Sequence, residues 1–422
     1  MIYFKLRKST YLFLFLLMNF QLISCDKKVQ NLKSTTLISH KDTLKIKTGA
    51  DRTALYLSKL KDKNIAIVAN QTSVLSILQR EEVAPNVMGS KKVRYHLVDY
   101  LYNYKSINVK KVFSPEHGFR GKADAGADVE DGIDAKTGLP ILSLHGKNRK
   151  PTAKQLKNID IVVFDIQDVG VRFYTYISTL HYVMEACAEL GIRVIILDRP
   201  NPNAHYIDGP VLEPEHTSFL GKHPVPVVYG MTIGEYGQMI NGEKWLANNV
   251  ICDLTVVPLE NYDHNSSYSL PIKPSPNLPN DKSINLYPSL GFFEGTTINA
   301  GRGTDFQFQR YGAPFFKKTD FSYTPKANEG AKYPKHKNKL CYGVDLRNYK
   351  HLSQIDLSFL IDAYKRTPQK EKFFGSTFTI HAGTENLQQQ IEQGLSETEI
   401  RKTWQQGLED FKKIKEQYLM YD

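Results

Sequence analysis

Ile161-Val162-Val163-Phe164-Asp165-Ile166 is the strongest strand signal in the chain, and together with the residues just after it this stretch decides the fold. Its apolar run Ile161–Phe164, rich in β-branched residues and broken only by Asp165 before Ile166, reads as a strand buried on both faces. It gives way at once to Gln167-Asp168-Val169-Gly170-Val171-Arg172-Phe173-Tyr174. Helical spacing then runs from about Ile177 to Leu190 and closes at Gly191, a natural left-handed cap position. Arg193 to Leu197 is the next strand and ends in Asp198-Arg199-Pro200-Asn201-Pro202-Asn203. Alternation of this kind implies right-handed crossovers and a parallel sheet covered on both faces, an α/β fold.

Working outward, Arg52 to Leu60 has helical spacing, and the apolar run Asn64 to Val68 leads into Ala69-Asn70-Gln71-Thr72-Ser73. Val93 to Tyr104 reads as a second helix, with Leu97, Val98, Leu101 and Tyr102 on one face. The short run Val109 to Phe113 reads as another parallel strand. It stops at Ser114-Pro115-Glu116-His117-Gly118-Phe119-Arg120-Gly121, which cannot continue as helix or sheet. Ala123 to Thr137 is rich in Asp and Gly and reads as a long covering loop; Pro140 to Leu144 is a further strand, and Pro151-Thr152 opens a short helix.

In such sheets ligands bind outside the carboxyl ends of the strands. Four strand ends here are polar: Asn70-Gln71-Thr72; Glu116-His117 with Arg120; Asp165 with Gln167, Asp168 and Arg172; and Asp198-Arg199 with Asn201. A solvated loop with a local Glu116–Arg120 pair would explain one of them, but polar residues after several independent strands indicate a shared site.

Beyond Val257 the texture changes. Leu270 to Pro279 carries four prolines and reads as an extended connection. Leu286 to Thr297 and Gly301-Arg302-Gly303-Thr304-Asp305 form a second cluster of aromatic, acidic and glycine residues. Lys317 to Leu340 holds seven lysines and little apolar content, the pattern of a solvated excursion, and Ile355–Tyr364 and Glu397–Tyr418 have amphipathic helical spacing. A smaller α+β C-terminal domain, 261–422, is expected to close over an N-terminal domain, 50–260.

The first residues are not part of this fold. Lys5, Arg7 and Lys8 precede an apolar stretch, Tyr11 to Leu22, too short to span a bilayer comfortably. It ends Leu22-Ile23-Ser24-Cys25, which resembles the bacterial lipobox; 1–24 would be a lipoprotein signal peptide, Cys25 the lipidated residue and 25–49 a polar tether. The expectation is an exported protein anchored to a membrane through Cys25, on the periplasmic or cell-surface side. Removing residues 1–24 from the 422 leaves 398, enough for two domains. It also lowers the formal charge from +11 to +8, since three cations and no anions are lost. That excess suits acidic partners, but with no DNA- or RNA-binding motif and an export signal, nucleic acid is not expected. The remaining Cys187, Cys252 and Cys341 do not suggest a disulfide framework or a zinc site.

No Gly-x-Gly-x-x-Gly, Walker or Gly-x-Ser-x-Gly pattern is present. Asp165, Asp168, His117 and Asp198 could hold a metal, although no His-x-x-x-His pair supports one, or could simply order loops. Carboxylates among aromatics, arginines and amides are the equipment of a sugar site.

Ser114–Gly121, Phe164–Tyr176, Asp198–Pro202, Asp208–Glu213, Ser275-Pro276-Asn277 and Gly301–Thr304, in this order, resemble the exo-β-N-acetylmuramidases of the NamZ type. The resemblance runs from about Gly49 to the C-terminus. It implies a Rossmann-like domain plus a C-terminal domain with the active site in the cleft between them. It also implies removal of β-1,4-linked N-acetylmuramic acid from non-reducing ends of peptidoglycan fragments, without a cofactor. Members are secreted or lipid-anchored enzymes of cell-wall recycling.

By position, Glu116 matches the motif glutamate and is the expected general acid. That role needs a carboxyl protonated near neutral pH, which burial under the Ala123–Thr137 loop would favour. His117 is expected to tune or position it, and a structural histidine is the alternative. Asp168 is the expected second carboxylate, with Asp165, Glu294 and Asp305 as rivals. Arg172, Arg199 and Arg302 are candidates for the lactyl carboxylate, since guanidinium matches carboxylate bidentately. Asn70, Gln71, Thr72, Arg120, Gln167, Tyr174, Asp198 and Asn201 complete the expected substrate-binding set. His145 and Gln307 depart from the family pattern, in which Tyr and Pro are common at these places, and would act at the rim. Two other readings compete: a non-catalytic lipoprotein that binds wall fragments, and a metal-dependent hydrolase on the same fold.

Overall fold

The computed structural model describes residues 45–84, 87–119 and 131–422. Cys25, nearly all of the tether, Arg120 and most of the Ala123–Thr137 loop lie outside the described residues. Ile46–Asp422 form one compact unit.

At its centre is a seven-stranded sheet. Its strands are β1 (Asn64–Ala69), β4 (Asn108–Ser114), β5 (Gly132–Ile133), β6 (Pro140–Ser143), β7 (Ile161–Asp165), β8 (Arg193–Leu197) and β9 (Leu254–Val257). Their order is β5-β6-β4-β1-β7-β8-β9, and all pairs are parallel except β5 with β6. The chain therefore works outward from β1 through β4 to β6, then returns to β7 on the other side of β1. This reversal opens the crevice where α/β sheets take their ligands. Alternate residues of each strand feed two cores: Ala66, Val68, Val162, Phe164 and Ile196 on one face, Ile65, Ile67, Val163, Ile195 and Leu197 on the other. The α/β expectation holds, as do the strands read at Asn64, Val109, Pro140, Ile161 and Arg193.

Gly49 lies where the chain enters the fold. Its N–H bonds the Asp198 carbonyl at 2.8 Å, and a Cβ there would fall 2.4 Å from the Val257 carbonyl oxygen, so the close approach requires glycine.

The helix expected over Val93–Tyr104 is corrected. Val74–Ala84 (β2) and Val87–His96 (β3) form an antiparallel hairpin, and the helix covers only Leu97–Tyr102. Val93 and Tyr95 pair with Ile77 and Leu75, and alternation decides their fate in favour of a strand once that partner is present. His96 marks the change of period, its Nδ1 accepting from the Val98 N–H at 3.2 Å as the helix cap. Arg52–Leu60 is likewise not one helix but a 3₁₀ turn, Thr53–Leu55, followed by a single α-turn, Leu57–Leu60.

The C-terminal half carries a three-stranded antiparallel sheet in the order β10 (Arg310–Ala313), β12 (Cys341–Asp345), β11 (Ser322–Tyr323), with helices at Asp281–Leu290, Ser358–Arg366 and Glu397–Lys415. Lys317–Leu340 is the solvated excursion the sequence indicates, with all seven lysines exposed, but it is anchored to the fold at a few points. Tyr323 and Ala331 are buried, and Lys335 donates to the Phe293 and Glu294 carbonyls at 2.7 and 2.9 Å. A lysine-rich segment can pack when its ammonium groups find carbonyls to cap. Cys187, Cys252 and Cys341 are buried free thiols.

Candidate active site

Most of the polar strand ends bond to one another. Asn70 Oδ1 accepts from the Thr72 N–H and hydroxyl at 2.9 and 2.6 Å, and Thr72 Oγ1 accepts from the Gln167 N–H at 3.0 Å. Gln167 Nε2 continues to the Asp168 and Pro200 carbonyls at 2.8 and 2.6 Å. The loops after β1, β7 and β8 are thus stitched together. Asn201 Nδ2 donates to the Met231 carbonyl at 2.8 Å, and its amide fills the space beside Gly170 (φ +75), where any Cβ would lie 2.3 Å from it. Gln71 Nε2 and Tyr174 Oη donate to the Pro274 carbonyl at 3.0 and 2.9 Å, tying the proline-rich connection to the sheet.

The charged candidates divide sharply. Arg199 grips Asp165 bidentately at 2.6 and 2.9 Å, both side chains buried. Arg172 is fully buried and donates to four carbonyls: Pro210 and Val225 at 2.8 and 2.7 Å, His381 and Ala382 at 3.2 and 2.6 Å. Asp198 accepts from Thr232 Oγ1, the Gly234 N–H and Tyr421 Oη at 2.7, 2.8 and 2.7 Å, and burial pushes its carboxyl up to about 6. Asp168 accepts from the Gly170 N–H at 2.7 Å and from the Tyr229 hydroxyl, while its Oδ1 is buried without a partner. Desolvation raises its pKa to about 7. None of these five lines the pocket that contains Glu116. Asp305 is exposed and also lies off that pocket. Among the described residues no three of His, Cys, Asp and Glu converge into a metal-holding group.

Glu116 is carried into the pocket by a turn after β4. His117 and Gly118 both take left-handed backbone (φ 70 and 75), and the Gly118 N–H closes on the Pro115 carbonyl at 3.1 Å. His117 is buried on the pocket wall. Across from them begins the helix Tyr176–Glu189, and Thr175 at its N-terminus donates its hydroxyl to Glu116 Oε2 at 3.0 Å. Phe173, Tyr174 and Tyr176 line the same pocket from the loop after β7.

The rest of the wall comes from the C-terminal half: Ser275, Asn277, Leu278, Tyr287, Glu294, Arg302 and Phe308, with Leu220 at the rim. Tyr287 packs edge-on against Phe173 and Phe308, with centroids at 5.3 and 4.8 Å. Arg302 pairs with Glu294 at 2.5 Å and donates to the Gly330 carbonyl at 3.0 Å, which Asn277 Nδ2 also reaches at 2.8 Å. Burial pushes the Glu294 carboxyl up, but Arg302, His381 and Lys335 outweigh it and hold it below its ordinary value. Two carboxylates, an arginine and five aromatic rings thus face one space, the equipment of a saccharide site.

Of the sequence-derived candidates, Glu116, His117, Tyr174, Glu294 and Arg302 meet there. Thr175, Tyr176, Asn277 and Tyr287 escaped the sequence reading as site residues. Thr175, Tyr176 and Asn277 sit inside the quoted motifs and Tyr287 in the aromatic cluster before Glu294, so the signal was present without the direction of each side chain.

Residues 65–282 match the model described as "Exo-beta-N-acetylmuramidase NamZ, N-terminal", and residues 285–421 match its C-terminal counterpart. The chain belongs to the NamZ exo-β-N-acetylmuramidase family. Within that family it is 37% identical to the peptidoglycan β-N-acetylmuramidase NamZ of Bacillus subtilis strain 168, over 99% of this chain and all of that protein. Two crystal structures of DUF1343 family proteins from Bacteroides fragilis NCTC 9343 share the fold. One is 44% identical with a TM-score of 0.79, covering 90% of this chain and 99% of that one. The other is 28% identical with a TM-score of 0.71, covering 89% and 99%. The site of this NamZ-family chain draws its lining from both matched regions.

Proposed function

We propose that the chain is an exo-acting glycosidase that removes β-1,4-linked N-acetylmuramic acid from the non-reducing ends of peptidoglycan fragments. The observation that carries this reading is the convergence of Glu116 and Glu294 on one aromatic pocket in a NamZ-family chain. Glu116 protonates the leaving oxygen, and the Thr175 hydroxyl orients its carboxyl. Glu294, held anionic by its cationic neighbours, stabilises the developing oxocarbenium charge or activates the attacking group. Arg302, on the same wall and a quarter exposed, meets the lactyl carboxylate. Tyr174, Tyr176 and Tyr287 offer ring faces and hydroxyls to the sugar. The cleft between the two halves is then the active site, and Asp168 supports the loop beneath it.

We also infer that export ends in acylation of Cys25, which tethers the enzyme to a membrane facing its wall-derived substrates. Among the described residues no helix is long and apolar enough to cross a membrane.

The deciding assay incubates the chain from Asp26 to Asp422 with a chromogenic β-N-acetylmuraminide, with and without EDTA. Chelator-resistant release supports the glycosidase. No release points to a wall-fragment binder, and release lost to EDTA points to a metal-dependent hydrolase.

A further inference from the structure

Leu220 forms the rim of the pocket, and the residues beside it build a second feature. Phe219 stacks against Tyr182, with centroids 6.3 Å apart and planes 18° apart. The Arg149 guanidinium lies 4.3 Å from the Phe219 centroid, and Lys222 Nζ lies 4.8 Å from that of Tyr182 while reaching its hydroxyl at 3.3 Å. His145, one of the two departures from the family pattern, meets Phe219 edge-on at 6.4 Å. The cations are held over ring faces, which orients them without neutralising their charge. Among the described residues neither Arg149 nor Lys222 has a carboxylate within ion-pair distance, whereas the adjacent Lys150 is bound by both Glu185 and Glu189 at 2.8 Å.

Position gives this ledge a meaning. Tyr182 comes seven residues after Thr175 along one helix, so it lies on the same face two turns on, displaced about 10 Å along the helix axis from the residue whose hydroxyl holds Glu116. That is of the order of two sugar rings from the bond to be broken. In an alternating chain cleaved at a terminal muramic acid, the unit next to the broken bond is N-acetylglucosamine. The one after it is again muramic acid, with a lactyl carboxylate free or extended by an acidic peptide.

We propose that Arg149 and Lys222, seated on Phe219 and Tyr182, form a leaving-side subsite for the carboxylate carried by the second sugar beyond the scissile bond. This rests on the glycosidase reading and deepens it: the enzyme favours fragments of at least three sugars over a disaccharide.

The test compares wild type with the double variant Arg149→Gln/Lys222→Gln on three substrates: a chromogenic muraminide, a muramic-acid-capped disaccharide and the corresponding tetrasaccharide. Only the tetrasaccharide places a carboxylate on the ledge. Its KM should rise about three- to tenfold in the variant and in wild type at raised salt, with kcat unchanged, while both shorter substrates keep their KM within about twofold. An unchanged tetrasaccharide KM, or an equal rise on the disaccharide, would overturn the subsite. Should wild type fail to cleave the chromogenic muraminide, the glycosidase reading falls. Calorimetric titration of tetrasaccharide into both proteins then decides the ledge by itself: equal affinities refute it and weaker binding by the variant supports it.

Discussion

The Thr175 hydroxyl donates to Glu116 Oε2 at 3.0 Å, joining the loop after β4 to the start of the helix that succeeds β7. The two residues are 59 apart in sequence, and the contact exists only because β4, β1 and β7 lie side by side. It fixes the carboxyl of the expected acid within a pocket whose other carboxylate, Glu294, arrives from the opposite half of the chain.

Glu116→Gln keeps the size of the side chain and its bond to Thr175 but removes the proton. It should fold normally, bind product, and lose roughly 10²–10⁴ in rate on natural disaccharide. The loss should shrink on an activated nitrophenyl muraminide, whose leaving group needs no protonation. Steady-state kinetics on both substrates check this, and near-normal turnover of the disaccharide would remove Glu116 from the mechanism.

Arg302 alone of the three candidate arginines lines the pocket, so the preference for muraminide over glucosaminide should depend on it. Removing the guanidinium from a desolvated guanidinium–carboxylate pair costs about 2–5 kcal/mol, much of it for leaving the carboxylate unpaired. Arg302→Ala should therefore narrow the kcat/KM ratio between the two sugars by tenfold or more. Equal ratios in wild type and variant would assign the lactyl group to another partner.

Arg172→Met should act on stability instead. It leaves the Pro210, His381 and Ala382 carbonyls without their buried donor, while the Val225 carbonyl keeps the Leu212 N–H at 3.1 Å. At about 1–3 kcal/mol for each group left unsatisfied, the expected loss is at least ~3 kcal/mol. Chemical denaturation measures it, and a stably folded variant with altered sugar preference would contradict the structural role.

Asp168 gives a pH signature. Its carboxyl is raised from 3.8 to about 7 in the folded chain, so between those values the native state binds more protons than the unfolded state. Stability from this group is therefore present below about pH 4 and lost as pH rises toward 7, by up to about 4 kcal/mol. Asp168→Asn, which cannot ionise, should flatten that fall in urea titrations run at pH 5 and pH 8. Parallel pH profiles for the two proteins would show that Asp168 stays ionised throughout.

Cys25→Ala should abolish fatty-acid labelling and yield a precursor or a soluble species on membrane fractionation. A variant that remains membrane-bound, together with a wild type that takes up no label, would refute lipidation.

What the sequence determined by itself was the sheet and the places where its loops turn polar. Apolar runs from Ile161 and after Arg193 permit few alternatives to buried parallel strands, the Val109 strand follows despite Lys110 and Lys111, and Gly191 takes the left-handed backbone (φ +64) expected where the intervening helix ends. The motif order, too, was enough to indicate the family. Tertiary structure decided which polar side chains face the ligand. Asp168 and Arg172 stand in the same loop as Tyr174, yet two turn inward to bonds with distant backbone and a tyrosine, and one faces the pocket. Val93–His96 became strand rather than helix because Leu75 and Ile77 were there to pair with it, and the exposed Lys335 became a carbonyl cap because the carbonyls of Phe293 and Glu294 converge on its ammonium group. In each case local pattern left two conformations or two directions close in energy. A partner far away in sequence, by satisfying a buried hydrogen bond or filling a face, made the choice.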